Sequence, residues 1–158
     1  MKTTATIDSP IGKLTLTADD TGLTGLEFLD SEAIISDPIP ENLKAAVTQL
    51  QEYFDKKRAE FELTLAPSGT QFQFMVWEEL RKIPFGSTIS YSELAGRLGN
   101  PKVIRAAASA NGKNPLPIII PCHRVVGSDG SLTGFSGGLD RKKWLLDHES
   151  PSRQQRLF

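Results

Sequence analysis

Two kinds of hydrophobic spacing divide the chain. Near the N-terminus, Leu14 and Leu16 alternate with polar residues, and a second apolar run holds Leu23, Leu26 and Phe28. Alternation of this kind buries one face of a strand. Asp19-Asp20-Thr21-Gly22 between the runs and Ser9-Pro10-Ile11-Gly12 before them carry turn chemistry. Together they predict an antiparallel meander. From Leu43 the rhythm changes: Leu43, Ala46, Val47, Leu50 and Phe54 recur at helical intervals. Lys56-Lys57-Arg58 stands at the C-terminal end of the predicted helix, where the dipole favours cations. Ala66-Pro67-Ser68-Gly69-Thr70 then interrupts all periodicity. The expected division is an N-terminal domain over 1–66, a linker over 67–69, a second domain over 70–149 and a tail over 150–158.

The second half reads as mostly helical, so the fold class is α+β. Phe72, Val76, Leu80 and Ile83 mark a helix that Pro84-Phe85-Gly86 ends. Ser90-Tyr91-Ser92-Glu93 has the form of a capping box, which places Tyr91 in the first turn of a short helix ending at Gly99. Asn100-Pro101 restarts the chain with an N-cap residue and a proline at the first helical position. The next helix runs from Lys102 to about Ala110 and stops at Asn111-Gly112. Two short helices joined by Gly-Asn have the form of a helix-turn-helix, or of an ordinary αα-corner. The second helix, Arg105-Ala106-Ala107-Ala108-Ser109-Ala110, offers few side chains to read base edges. Its small residues suit a close approach to a groove on one side and core packing on the other, with Arg105 as a wedge or phosphate contact.

Composition narrows the class. The 158 residues, 39% hydrophobic and 23% charged, suffice for one compact domain or two small ones and do not suit a disordered chain. No apolar run reaches membrane-span length and MKTTATIDSP lacks a signal-peptide core, so the expectation is a cytoplasmic protein with no membrane partner. A single cysteine excludes an internal disulfide, and with two histidines it makes a zinc site improbable. The formal charge of −1 hides a split: residues 1–66 carry −6 and residues 67–158 carry +5. Such asymmetry points to a polyanion partner or reflects ordinary surface variation.

The chemistry concentrates in Asn114-Pro115-Leu116-Pro117-Ile118-Ile119-Ile120-Pro121-Cys122-His123-Arg124-Val125-Val126. The three isoleucines read as a buried strand that delivers Cys122 to the interior. A lone buried cysteine is usually inert, but a buried His-Arg pair behind it needs partners and implies a polar network. In a strand, neighbouring side chains face opposite ways, so contact between Cys122 and His123 requires a turn there or a bridging water. A carboxylate is needed to fix the imidazole tautomer, and Glu149 and Asp147 are both candidates. The residues alone also suit a DNA-binding regulator with a structural cysteine. A cysteine hydrolase is less well served, for neither a Gly-rich oxyanion loop nor a direct Cys–His pairing is apparent.

Pro121-Cys122-His123-Arg124-Val125 resembles the signature of the O6-alkylguanine-DNA alkyltransferases. Ser90-Tyr91, Gly99-Asn100-Pro101, Arg105, Asn114-Pro115, Thr133-Gly134-Phe135-Ser136-Gly137-Gly138 and Trp144-Leu145-Leu146-Asp147-His148-Glu149 are similar to further family motifs, in family order, over residues 70–149. The resemblance implies a ribonuclease-H-like N-terminal domain, a small sheet plus helix. It implies a C-terminal domain with a helix-turn-helix and an active-site cysteine. By the same resemblance Cys122 accepts the alkyl group of O6-alkylguanine, and of O4-alkylthymine, from bases flipped out of double-stranded DNA, once per molecule. His123 deprotonates it through a water, Glu149 holds His123, Asn114 is a structural hinge, and Tyr91 assists at the guanine and the phosphate. Arg105 fills the gap left by the flipped base, and Ser92, Asn100, Ala106 and Ser128 join the DNA-facing surface. Pro117, Val125, Phe135, Ser136 and Gly137 line the base pocket. No cofactor is implied. The expected state is a monomer, with cooperative binding on DNA left open. Phe135 stands where relatives often have tyrosine. The first half lacks the cysteines and histidines that give some relatives a zinc, so no metal is expected. Cys122 itself argues against the non-repairing branch, in which the nucleophile is replaced.

Overall fold

The structure, a computed structural model, describes residues 2–29 and 32–151; all but the first two positions of the 150–158 tail lie outside the described residues. The chain forms two compact units, Met1–Ser68 and Gly69–Phe158. In the first, strands β1 (Thr3–Ile7), β2 (Lys13–Asp19) and β3 (Gly22–Leu29) form an antiparallel sheet in chain order. Alternation puts Ala5 and Ile7, then Leu14, Leu16 and Ala18, on its buried face. Leu23 and Leu26 are also buried although an odd spacing should send them to opposite faces. A bulge resolves this: Leu16 pairs with Leu26 and Ala18 with Leu23, and the extra residue on β3 restores the facing. A 3-10 turn at Glu41–Leu43 leads into helix α1 (Lys44–Phe54), which buries Ala46, Val47, Leu50 and Tyr53. Tyr53, not Phe54, completes the apolar face. The helix ends before Lys56-Lys57-Arg58, because Lys56 turns the chain at φ 62°, so these cations lie past its last turn.

In the second unit, Thr70 is a cap as well as a break. Its hydroxyl accepts the Gln73 N–H at 3.0 Å and the Gln73 side chain accepts the Thr70 N–H at 2.9 Å, which starts helix α2 (Gln71–Arg81). The predicted box at Ser90 is half formed. Ser90 caps helix α3 (Tyr91–Arg97) by accepting the Glu93 N–H, while the Glu93 carboxylate pairs with Arg97 at 2.7 Å. Gly99, at φ 90°, turns the chain. The Asn100 side chain accepts the Lys102 N–H, and a 3-10 turn at Pro101–Val103 opens onto helix α4 (Ile104–Gly112). α4 buries Ala107, Ala110 and Asn111 and exposes Arg105 and Ala106. Trp77 of α2 donates its indole N–H to the Ala110 carbonyl at 2.9 Å and fixes α4 from the core side.

The expected Ile118–Ile120 strand is not one. The isoleucines are buried, but they form turns, with Ile118 at φ 75° and the Ile120 N–H bonded back to the Leu116 carbonyl. Pro115, Pro117 and Pro121 remove the donors a sheet ladder would use, so the segment is buried as a compact loop. Strand pairing occurs instead between β4 (Ile89–Ser90) and β5 (Val125–Val126), which are parallel. Helix α5 (Leu139–Glu149) closes the unit and buries Lys142, Leu145, His148 and Glu149. Among the described residues no helix is long and apolar enough to cross a membrane.

Candidate active site

Cys122, His123 and Arg124 form a single 3-10 turn, buried throughout, between the Ile118–Ile120 loop and β5. This supplies the turn that alternation in a strand would have denied to the Cys-His pair. Asn114 fixes the approach: its side-chain N–H donates to the Ile120 carbonyl at 2.7 Å, and its oxygen accepts the Leu116 N–H at 2.9 Å. The two bonds close the ends of the proline-isoleucine loop on one side chain. Burial pushes the Cys122 thiol up to about 11, against an Asn114 side-chain hydrogen bond and the Lys142 charge, which pull it down. Roughly one molecule in 10⁴ therefore carries thiolate at pH 7, and the sulfur needs a base beside it to act as a nucleophile.

Of the two carboxylates that spacing leaves open, the structure brings Glu149 to His123, with Oε2 2.7 Å from Nε2. Arg124 grips the same carboxylate through Nε at 2.7 Å and a terminal nitrogen at 3.0 Å, and donates to the Ile83 carbonyl at 2.7 Å. Burial pushes the Glu149 carboxyl up, yet the hydrogen bonds and charges of His123 and Arg124 outweigh it and hold it at about 2. Burial pushes the imidazole pKa down, so His123 is neutral. An ionised Glu149 has no proton to give, so Nε2 carries the hydrogen and Nδ1 is the basic lone pair. That Nδ1 is buried without a protein hydrogen-bond partner. Asp147 instead pairs with Lys143 at 2.8 Å on the outer side of α5.

The Glu149 shift has a consequence for acid stability. Its carboxyl ionises at about 2 when folded and near 4.3 when unfolded, so between these values the unfolded chain binds more protons. The stability it contributes, about 3 kcal/mol, is complete above pH 5 and is lost as pH falls toward 2. Carboxyl NMR should find Glu149 still ionised at about pH 3, with unfolding midpoints dropping through this window. A folded-state midpoint of 4 or above would overturn the assignment.

The DNA-facing candidates are exposed or half-exposed. Tyr91 and Ser92 open α3, Asn100 caps the next turn, Arg105 and Ala106 stand on the outer side of α4, and Ser128 is on the loop after β5. Pro117 and Val125 are buried, Phe135 and Gly137 half-buried and Ser136 exposed. Two residues were not singled out by the sequence. Asn111 of α4 donates to the Cys122 carbonyl at 3.3 Å. Lys142 is fully buried and donates to the Val125 and Thr133 carbonyls. Lys142, Leu145 and Glu149 share one face of α5, so a lysine at an apolar helical position was the available signal. Among the described residues no group of three or more His, Cys, Asp and Glu is arranged to hold a metal ion.

Two short helices joined through Gly99-Asn100, as in a helix-turn-helix or an αα-corner, stand in one unit with a buried thiol and a carboxylate-held imidazole, a set that suits a DNA-directed protein with a cysteine nucleophile. Comparison gives the family. Residues 3–67 match the ribonuclease-like domain of 6-O-methylguanine DNA methyltransferase and residues 71–151 match its DNA-binding domain. A Methanosarcina barkeri methylated-DNA–protein-cysteine methyltransferase is 48% identical over 148 residues, covering 90% of this chain and 94% of the relative. The Mycobacterium tuberculosis O6-methylguanine methyltransferase superposes with a TM-score of 0.83 at 41% identity, covering 100% of this chain and 100% of that one. Mycobacterium tuberculosis OGT in complex with DNA gives 0.83 at 44% identity, covering 95% and 96%. The chain belongs to the 6-O-methylguanine DNA methyltransferase family.

Proposed function

We propose that this chain repairs double-stranded DNA by moving the alkyl group of O6-alkylguanine, and of O4-alkylthymine, to the Cys122 sulfur, once per molecule. The observation that carries this is the buried turn that joins Cys122 to a neutral His123 whose Nε2 is engaged by Glu149. The Cys122 proton passes to Nδ1 of His123 through a water. The sulfur–carbon bond forms as the carbon–O6 bond breaks, and the departing guanine takes a proton at N1. Glu149 holds the imidazole, Asn114 holds the loop before the sulfur, and Tyr91 serves the base and the phosphate. Pro117, Val125, Phe135, Ser136 and Gly137 enclose the flipped base. Ser92, Asn100, Arg105, Ala106 and Ser128 meet the DNA. Residues 70–149 carry both tasks, 1–66 form a separate N-terminal domain behind the 67–69 linker, and the protein works as a cytoplasmic monomer without metal or cofactor.

The test is to incubate the protein with a duplex bearing O6-methylguanine and weigh it intact. One methyl mapped to Cys122 is expected. Unchanged mass would favour a DNA-binding regulator with a structural cysteine, and repeated turnover a hydrolase.

Arg105 separates extrusion from chemistry. It is exposed on α4 while Ala107 and Ala110 pack inward, so it can enter the stack without disturbing the core. Unstacking a base costs a few kcal/mol, and a wedge offsets part of that. Arg105→Ala should slow transfer from duplex about 10- to 10²-fold and leave reaction with free O6-benzylguanine nearly unchanged. Equal losses on both substrates would assign Arg105 to the fold.

A further inference from the structure

Two buried side-chain polar atoms among the described residues lack a protein hydrogen-bond partner: His123 Nδ1 and Asn111 Oδ1. Both side chains meet the peptide that joins Cys122 to His123. Asn111, 1% exposed on α4, donates its side-chain N–H to the Cys122 carbonyl at 3.3 Å. A carbonyl only accepts, so the amide nitrogen has to face it and Oδ1 is turned away. His123 is fully buried, and its Nε2 is taken by Glu149 at 2.7 Å. Nδ1 is the ring nitrogen nearer the backbone, and so the nearer one to the peptide that Asn111 holds. One unpaired acceptor is therefore hydrogen-bonded to the residue that bears the thiol. The other stands on the residue that takes its proton.

A buried amide oxygen left unpaired costs free energy, and packing gives α4 no reason to carry one: the other residues it buries are Ala107 and Ala110. Asn114, the neighbouring buried amide, has both of its ends engaged. The two orphans are both acceptors, so neither can satisfy the other, whereas one group with two donors satisfies both. Water is that group. With both hydrogens engaged it keeps a lone pair for the Cys122 S–H, and three hydrogen bonds are the usual complement of a buried water. A water held by Nδ1 alone has a free hydrogen and can turn, so its lone pair faces the thiol only part of the time. Oδ1 removes that freedom.

Resting on the alkyl-transfer reading above, we propose that Asn111 is a positioning residue that holds the relay water between Cys122 and His123. The water donates one hydrogen to Asn111 Oδ1 and the other to His123 Nδ1, and it accepts the Cys122 S–H. As the sulfur bonds to the alkyl carbon, its proton passes to the water oxygen and the water's own proton passes to Nδ1. The water is regenerated, the electron pair of the S–H bond enters the new sulfur–carbon bond, and the imidazole ends protonated. The hydrogen on Oδ1 does not move. Asn111 touches neither the base nor the transferred carbon.

The direct test needs no variant: an atomic-resolution crystal structure of unreacted wild-type protein should show one water within about 3.2 Å of both Asn111 Oδ1 and His123 Nδ1. No water common to the two atoms would overturn the inference. The kinetic test is a double-mutant cycle on single-turnover rates. Asn111→Leu keeps the branched shape and removes the oxygen. It should slow transfer about 10- to 10²-fold, equally for free O6-benzylguanine and for O6-methylguanine duplex, since it acts on the proton and not on base extrusion. In a His123→Gln background the same change should cost no more than about twofold, because no lone pair is left for the water to serve. That residual loss measures the bond to the Cys122 carbonyl. Equal losses in the two backgrounds would assign Asn111 to the fold and overturn the inference. The chain has two histidines, so imidazole ¹⁵N NMR reads His123 directly. Asn111→Leu should move the Nδ1 resonance toward that of a bare lone pair, and an unmoved resonance in a folded variant would count equally against it. Should thermal melts show that Asn111→Leu does not fold, the wild-type crystal structure still decides. Wild-type protein that transfers no alkyl group fails the functional reading instead, and the water's place is still read from the crystal.

Discussion

Replacing Cys122 by serine should abolish alkyl transfer, and wild-type protein should stop after one equivalent of alkyl group per molecule. Both outcomes come from the state of the sulfur. Burial holds the thiol at about 11, so even this soft nucleophile has to be deprotonated as it reacts. A hydroxyl in the same 4%-exposed site starts far less acidic and attacks an alkyl carbon poorly, and the imidazole cannot make up the difference. After transfer, Cys122 is a thioether with no activated bond for water to attack. The chain has no second cysteine to exchange with it. Quench-flow with labelled O6-methylguanine duplex at excess substrate, followed by intact mass, measures both. A plateau above one equivalent, or a methyl on the serine variant, would contradict the assignment of Cys122.

The path from sequence to site was legible where a local rule dominates. Alternation at Leu14 and Leu16 and turn chemistry at Asp19–Gly22 specify the hairpin, and Asn100-Pro101 specifies the start of the turn before α4. Where a residue serves two demands, the local reading gave half of it. The bulge that lets Leu23 and Leu26 share a face is marked in the sequence by Gly25 alone, a glycine inside the strand beside the extra residue. Thr70 sits in a segment rich in breakers and still caps a helix, because Gln73 lies at the required offset. The isoleucine run shows why burial alone misleads: with Pro115, Pro117 and Pro121 around it and the Ile120 N–H bonded back to the Leu116 carbonyl, the apolar stretch is interior but turned rather than extended.

At the site, residue types could be read but not their partners. Glu149 and Asp147 differ by two positions on one helix, which points them to different sides. Leu145, buried four residues before Glu149, already marks which side faces the core. Arg124 was visible as a buried charge in need of a partner. That it shares a carboxylate with His123 depends on α5 reaching a turn about 25 residues earlier, and no local pattern encodes such contacts. Lys142 fell outside the reading because lysine is normally assigned to the solvent side of a helix.

His123→Gln should lower the single-turnover rate constant by about 10²- to 10⁴-fold near pH 7, the usual worth of a positioned general base. The substitution suits this site because of its hydrogen bonds. A glutamine amide can donate an N–H to Glu149 Oε2 as Nε2 does now, so the Glu149–Arg124 pair keeps its partner and the fold keeps its buried charges balanced. What disappears is the basic lone pair on Nδ1. Deprotonation of Cys122 then falls to solvent hydroxide, so the residual rate should rise about tenfold per pH unit and approach the wild-type rate only near the thiol's own midpoint of about 11. Wild-type protein should show a flatter profile over the same range, since its neutral imidazole is already in the accepting form at pH 7. Rates with free O6-benzylguanine isolate this chemistry from DNA binding, and thermal melts check that the variant is folded. A His123→Gln rate within a few fold of wild type, or a parallel pH profile, would mean that the Cys122 proton leaves by another route and that His123 serves only to hold Glu149.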